Sequence, residues 1–337
     1  MSFRALIAGL SALVAALFVL SLITGVAHRA EGAGGAPVGP GESLAALVRV
    51  DGGPLTLVMR EIRLPRAILA VMIGVSLGLS GAAMQGFLRN PLAEPGLIGV
   101  SSSAALGAVV ALQTGFAAAF TLALPVAALF GAVVGVAVIL FLAGPGGGAF
   151  TLILAGIALS ALSGALTSLV LNLSPNPFAA NEIVFWMMGS LADRSFYHVG
   201  ISLPIMGLGW LALARTGRGL EALTLGEDAA ASMGINLARL RLILLGGVAA
   251  SVGAATAVAG AIGFVGLVVP HLLRPLVGGR PSRLLLASAL GGAALVLAAD
   301  IAVRVVLPGR DLKLGVLMAL VGAPVFLHLI WRMRGQT

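Results

Sequence analysis

Few side chains in this chain of 337 residues can make or break bonds, and their spacing excludes most such chemistry. The four histidines, His28, His198, His271 and His328, are far apart and form no H-E-x-x-H motif, so they do not read as a metal site. Ser80 and the serines at 101–103 lack a companion His and Asp at motif spacing and read as small helix-packing residues. The only lysine, Lys313, is followed by Leu314, which rules out the phosphate-cradling loop G-x-x-x-x-G-K-[ST]. Cysteine is absent, and with it disulfides, thiolate metal sites and thiol nucleophiles. The expectation is a chain that binds no metal or cofactor of its own and does not hydrolyse ATP.

What remains is a small set of charges in unusual places. Asp300 and Arg304 lie near the end of an apolar run, four apart, a spacing that allows an i,i+4 pair. Arg63 and Arg66 bracket Leu64-Pro65 just before another run. The longest polar stretch between two apolar runs is 215–241, where Thr224-Leu225-Gly226-Glu227-Asp228 places two carboxylates at the start of a short helix, AAASMG. Carboxylates there favour the positive end of the helix dipole. Gly234 and Asn236 suit a C-terminal turn, and NLARLR opens a second helix. A small helical platform on a membrane protein is an offer to a soluble partner.

The elements that position these residues are membrane spans. Of the residues, 59% are hydrophobic and 9% charged, and mean hydropathy is +1.11. Soluble domains carry roughly 25% charge, so the fold class is an all-α polytopic membrane protein, a single transmembrane domain over 1–337. The 47 glycines suit helices that approach closely in lipid. Spans read at about 5–27, 67–84, 97–114, 116–142, 151–172, 198–214, 242–262, 263–277, 284–307 and 314–331, each long enough or nearly so for the roughly 20 residues a bilayer needs. The first is read as a retained span and not a signal peptide. Residues 174–195 read as an interfacial helix anchored by Trp186. Ten spans put both termini on one side; with these inside, eleven basic residues are inside and nine outside, a weak positive-inside bias. The stretches 63–86 and 239–263 echo each other faintly, as inverted repeats of transporters do. Basic residues are scattered and aromatics scarce, which argues against nucleic acid as a partner.

Five ordered stretches resemble one family: RLPRAILAVMIGVSLGLSGAAMQGFLRNPLAEPGLIGVSSSAALGA (63–107), FWMMGSL (185–191), TLGEDAAASMGIN (224–236), AGAIGFVGLVVPHLLRP (259–275), and ADIAVR with LGVLMALVGAPVFLHLI (299–330). They are similar to permease subunits of type II ABC importers, the FecCD/BtuC-like family, which carry iron–siderophores, haem or cobalamin. The resemblance covers about 55–332 and implies ten spans, a homodimer with the path at its interface, two cytoplasmic ATPases that bind ATP and Mg, and a periplasmic binding protein, in a bacterial inner membrane.

The resemblance also assigns residues. Leu225, Gly226, Glu227, Asp228, Ala229, Ser232, Met233 and Gly234 would enter a groove on the ATPase. Arg63, Arg66 and Arg304 would meet glutamates of the binding protein. Asn90, Pro91 and Leu92 match the inner-gate loop. At the second gate segment this chain has GPGGGAF (144–150), with Ala149 and Phe150 where Ser/Thr and basic residues are usual, so glycine flexibility replaces that chemistry. Ser160, Ser163, Ser168 and Asn172 would line an otherwise apolar pathway. The competing expectation is a secondary transporter driven by an ion gradient, which the scarcity of buried charge disfavours. An intramembrane enzyme would need a catalytic constellation that these residues do not form.

Overall fold

The computed structural model describes residues 2–24, 39–49, 51–120, 122–144, 147–175, 177–306 and 312–333. The end of the first expected span, Pro145 and Gly146 of the glycine-rich turn, and Arg310 and Arg334 lie outside these.

Among the described residues every long element is a helix. The order is α1 (Phe3–Ile23), α2 (Pro40–Ala46), α3 (Pro54–Leu57), α4 (Leu64–Phe87), α5 (Val100–Gln113), α6 (Ala123–Ala143), α7 (Ala149–Asn172), α8 (Pro177–Met187), α9 (Phe196–Arg215), α10 (Gly217–Leu223), α11 (Glu227–Ser232), α12 (Leu237–Ala259), α13 (Val265–Leu273), α14 (Pro281–Val306) and α15 (Leu314–Met333). Among the described residues, seven helical runs are long and apolar enough to cross a membrane, and α5 and α15 contribute shorter apolar ones. The chain is thus an all-α, multi-pass membrane protein.

Three runs form the centre. Those containing α4, α12 and α14 bury 83, 78 and 72% of their most apolar windows, against 17–33% for α1, α6, α7 and α9. The central helices approach through small residues. Gly74 and Gly78 on α4 face Ser288 and Gly292 on α14 so closely that a Cβ on Gly78 would overlap the carbonyl oxygen of Ser288. In lipid, where no hydrophobic gain drives helices together, backbone proximity of this kind supplies the packing energy. The segments that echo each other in sequence, α4 and α12, meet at a buried contact, with Ser80 Oγ and Ser251 Oγ 2.9 Å apart. Trp210 of α9 donates its indole N–H to Ser76 Oγ at 2.8 Å, which ties α9 to the same centre.

Several expectations need correction. The second span begins well before residue 67: α3, a π-helical turn at Val58–Arg63 and α4 form one run of 34 residues from Pro54. Pro54 starts it at a position where a missing N–H costs nothing, and the wide turn lies just ahead of Pro65, which cannot donate to the preceding turn. The stretch 263–277 is not a full span. Its helix, α13, has 9 residues, about 13.5 Å at 1.5 Å per residue. Phe264, at φ +67°, turns the chain into α13, and Arg274 and Pro275 end it. Asn236 does not close a C-terminal turn; its side chain accepts from Arg239 N at 2.9 Å and caps α12. The second short platform helix is therefore α10, and NLARLR is the start of a long one. Trp186 packs against Ala108, Ala128 and Ala257, so α8 is seated on the ends of α5, α6 and α12.

Candidate functional site

The platform has a buried half and an exposed half. α10 is the buried half: Leu220 and Leu223 are sealed from solvent, and Glu221 accepts a very short hydrogen bond from Ser282 Oγ at the start of α14. α11 is the exposed half. Gly226, at φ +104°, adopts a backbone that a side chain would strain, and this turns the chain away from α10 into α11. Glu227 and Asp228 occupy its first turn. Leu225 and Met233 flank it at 68 and 62% exposure, two large apolar side chains on the most polar part of the chain. Ser232 and Gly234 are also exposed, while Gly226 and Ala229 are half-buried.

The loop after α4 is held next to this platform. Asn90 Oδ1 accepts from Leu92 N at 2.9 Å, and Asn90 O from Ala93 N at 3.1 Å, so Asn90-Pro91-Leu92 is a tight turn with Leu92 half-buried. Arg89, in the left-handed region at φ +50°, places its guanidinium 3.9 Å from Glu227 Oε1 on α11. Both ends are about half exposed, so the pair contributes little energy and marks only that loop and platform are neighbours. A second link comes from Arg241, which reaches from α12 to the carbonyls of Gly147 and Gly144. A cavity of about 150 Å³ separates the parts, lined by Phe87, Ala149, Leu223, Glu227, Leu237 and Arg241. Ala149 is half-buried there, and Phe150 stands exposed in the first turn of α7.

The same loop anchors α13. Glu94 Oε1 accepts from Phe264 N at 2.6 Å, satisfying a donor at the start of that helix. Burial raises the Glu94 carboxyl above the ordinary carboxylate range, and the Phe264 N–H offsets part of the rise. Gln85, on α4, donates to the carbonyls of Gly266 and Leu267 at 3.3 Å and accepts from Arg274 Nη2 at 2.6 Å. α13 is thereby pinned at both ends.

At the opposite end of α4, the three arginines assigned to docking are engaged within the chain. Arg66 Nη2 lies 2.9 Å from Asp300 Oδ1, and Arg304 Nη2 3.1 Å from Asp300 Oδ2, so the i,i+4 pair exists and has a second cation. Arg304 also donates to the carbonyls of Ser21 and Thr24 at 2.9 and 2.8 Å and to Ser21 Oγ at 2.7 Å. Arg63, 8% exposed, donates to the carbonyl of Leu22 at 2.8 Å. Guanidiniums thus satisfy the last carbonyls of α1, which its own helix cannot, and suit the negative end of its dipole.

The serines of the expected pathway divide. Ser163 is buried, its Oγ 3.4 Å from Ser103 Oγ on α5, and so faces a neighbouring helix. Ser160 is half-buried and bonds weakly to Ser102 Oγ and the Gly96 carbonyl. Ser168 and Asn172 lie on the exposed face of α7. Among the described residues no group of three or more His, Asp or Glu is arranged to hold a metal.

Sequence reasoning missed Glu94, Arg89 with Glu227, Arg241, and the pairing of Asp300 to Arg66. A charge beside a Pro/Gly turn was the signal for the first two. Arg241 reads as an ordinary positive-inside residue and offers none.

The FecCD transport family matches residues 13–332. The hemin transport system permease protein HmuU of Yersinia pestis is 41% identical over 286 residues, 82% of this chain and 84% of that protein. The cobalamin import system permease protein BtuC of Halobacterium salinarum is 38% identical over 280 residues, 81% of this chain and 73% of that one. A solved ABC transporter structure in an inward-facing conformation, described as of metal-chelate type, superposes with a TM-score of 0.83 at 30% identity, covering 98% of this chain and 99% of that chain. The chain belongs to the FecCD transport family and is a permease of the ABC importers that serve metal chelates, haem or vitamin B12.

Proposed function

We propose that two copies of this chain form the translocation path of an importer in a bacterial inner membrane. The path carries a metal chelate, an iron–siderophore or haem by preference and cobalamin within the same class, from the periplasm to the cytoplasm by alternating access. Energy comes from ATP and Mg on two separate ATPase subunits, and a periplasmic binding protein delivers the cargo. The observation that carries this reading is α11: a short helix outside the apolar runs, with Leu225 and Met233 exposed on either side of it. Exposed large apolar side chains on a polar segment mark a partner surface.

The gate would be Leu92 in the turn fixed by Asn90, with Ala149 and Phe150 at the start of α7 as the second constriction. Arg63, Arg66 and Arg304 would serve docking from a cluster that Asp300 neutralises only in part, so a carboxylate of the binding protein would meet a net positive cluster and compete with Asp300 only for Arg66 and Arg304.

The test is uptake into proteoliposomes that hold the permease with its ATPase and binding protein. Uptake of a ferric siderophore, haem and cobalamin is compared with internal ATP present or absent, and with a proton ionophore. One cargo should accumulate only with ATP and be indifferent to the ionophore. Accumulation without ATP that the ionophore abolishes would overturn the reading.

A further inference from the structure

Arg241 joins α12 to the connection between α6 and α7. It lies in the second turn of α12, nine residues after the end of α11, and is 7% exposed. Its two terminal nitrogens reach two different backbone carbonyls of the α6–α7 connection: Nη1 donates to Gly147 O at 2.6 Å and Nη2 to Gly144 O at 3.0 Å. Gly144 is the residue that ends α6, and Gly147 precedes Gly148, which caps the start of α7. One rigid guanidinium therefore holds the end of one span and the beginning of the next. The planar fork fixes direction as well as distance, which a single ammonium does not. Gly144 itself has φ +65° and ψ 178°, so the chain leaves α6 in a conformation that suits glycine and leaves its carbonyl open to the guanidinium.

On its other side Arg241 is continuous with the platform. Asn236 caps α12 immediately after α11, and Glu227 of α11 lines the same cavity as Arg241 and Ala149. A shift of α11 that carried the first turns of α12 would move both carbonyls together, and with them the first turn of α7. GPGGGAF has no side chain that could donate to these carbonyls, and the donor comes from α12.

We propose that Arg241 is a positioning residue that transmits displacement of the platform to the start of α7. This rests on the proposed reading of α11 as the surface on which an ATPase sits. A role confined to holding helix ends together would lower thermal stability and leave the nucleotide response of α7 intact.

The experiment uses the permease with the ATPase that purifies with it from native membrane, in lipid nanodiscs. The cysteine-free chain receives one reporter at a time: Ala231→Cys on the exposed side of α11, or Thr151→Cys on the exposed side of α7. The rate of modification by a membrane-impermeant maleimide is measured without nucleotide and with Mg-ATP plus orthovanadate. With Arg241 present, both reporters should change rate on adding nucleotide. With Arg241→Met the α11 reporter should still respond and the α7 reporter should lose its response; with Arg241→Lys the α7 response should be partial. A full α7 response in Arg241→Met overturns the proposal. Should that variant fail to assemble, a full α7 response in Arg241→Lys overturns it equally. An α11 reporter that is silent in the chain with Arg241 overturns the platform reading itself, and this proposal with it.

Discussion

Removing one carboxylate tests the arginine cluster at the end of α4. The Asp300 side chain is 1% exposed, and both its oxygens are taken: Oδ1 by Arg66 and Oδ2 by Arg66 Nε and Arg304 Nη2, all between 2.9 and 3.2 Å. Breaking a buried pair by deleting one partner costs about 3–5 kcal/mol, because a charge is left uncompensated. Arg304 keeps the Ser21 and Thr24 carbonyls, and the two arginine side chains retain 13–17% exposure, which puts Asp300→Ala near the lower end, about 3 kcal/mol. At about 2.1 cal/mol/K of unfolding entropy per residue, 337 residues give about 0.7 kcal/mol/K, so the thermal midpoint of the detergent-purified chain should fall by roughly 4 °C. Asp300→Asn keeps an acceptor without the charge and should lose about 1–2 kcal/mol. Arg66→Met in the Asp300→Ala background removes the stranded cation, so the double variant should be less destabilised than the sum of the single ones, by about 1–3 kcal/mol. A midpoint indistinguishable from wild type for Asp300→Ala, or strict additivity in the cycle, would refute the reasoning.

Other parts of the structure make equally definite claims. Glu94→Ala strands the Phe264 N–H and should cost about 1–3 kcal/mol in thermal unfolding, whereas Glu94→Gln keeps an oxygen acceptor and should cost far less; equal losses would mean the bond is incidental. Because burial raises the Glu94 carboxyl, its stabilising contribution is fully present below the unfolded value of about 4.3 and declines as pH rises through the folded value. Glu94→Gln should remove that component of the pH dependence. Gly78→Ala puts a Cβ onto the Ser288 carbonyl and should destabilise by at least about 1–3 kcal/mol, while Gly246→Ala, which meets nothing within 4 Å, should be neutral or better; similar midpoints would contradict the close α4–α14 contact. Leu92→Cys should form an intermolecular disulfide in at least one nucleotide state of the assembled transporter, and its absence from every state removes Leu92 from the gate.

Helix-forming runs were legible because hydropathy and small-residue content are local properties. The i,i+4 relation of Asp300 to Arg304 was legible for the same reason. What local patterns conceal is the partner from far along the chain. Arg66 meets a carboxylate 234 positions away, and Arg63 and Arg304 cap α1, so arginines assigned to docking a partner are largely engaged within the chain. The same charges hid the true start of the second span, since Arg60, Glu61 and Arg63 break the apolar run without breaking the helix. Residues 263–277 misled in the opposite sense: an apolar composition says that a segment is buried, not that it crosses, and the turn at Phe264 with the end at Arg274 leaves half a span. Around the platform, composition marked the place and the carboxylates marked α11. Asn236 reads as part of a C-terminal turn, but Asn caps either helix end, and the bond it accepts from Arg239 N assigns it to the start of α12.

The central claim is that this chain is energised by a separate ATPase seated on α11. The most direct measurement is purification of the tagged chain from its native membrane with ATPase activity assayed on the eluate, for wild type and for Leu225→Glu/Met233→Glu. Wild type should bring down Mg-dependent ATPase activity, and the variant should yield the same amount of folded permease with that activity lost. A wild-type chain that purifies without ATPase activity and still transports in liposomes under an ion gradient would contradict the account.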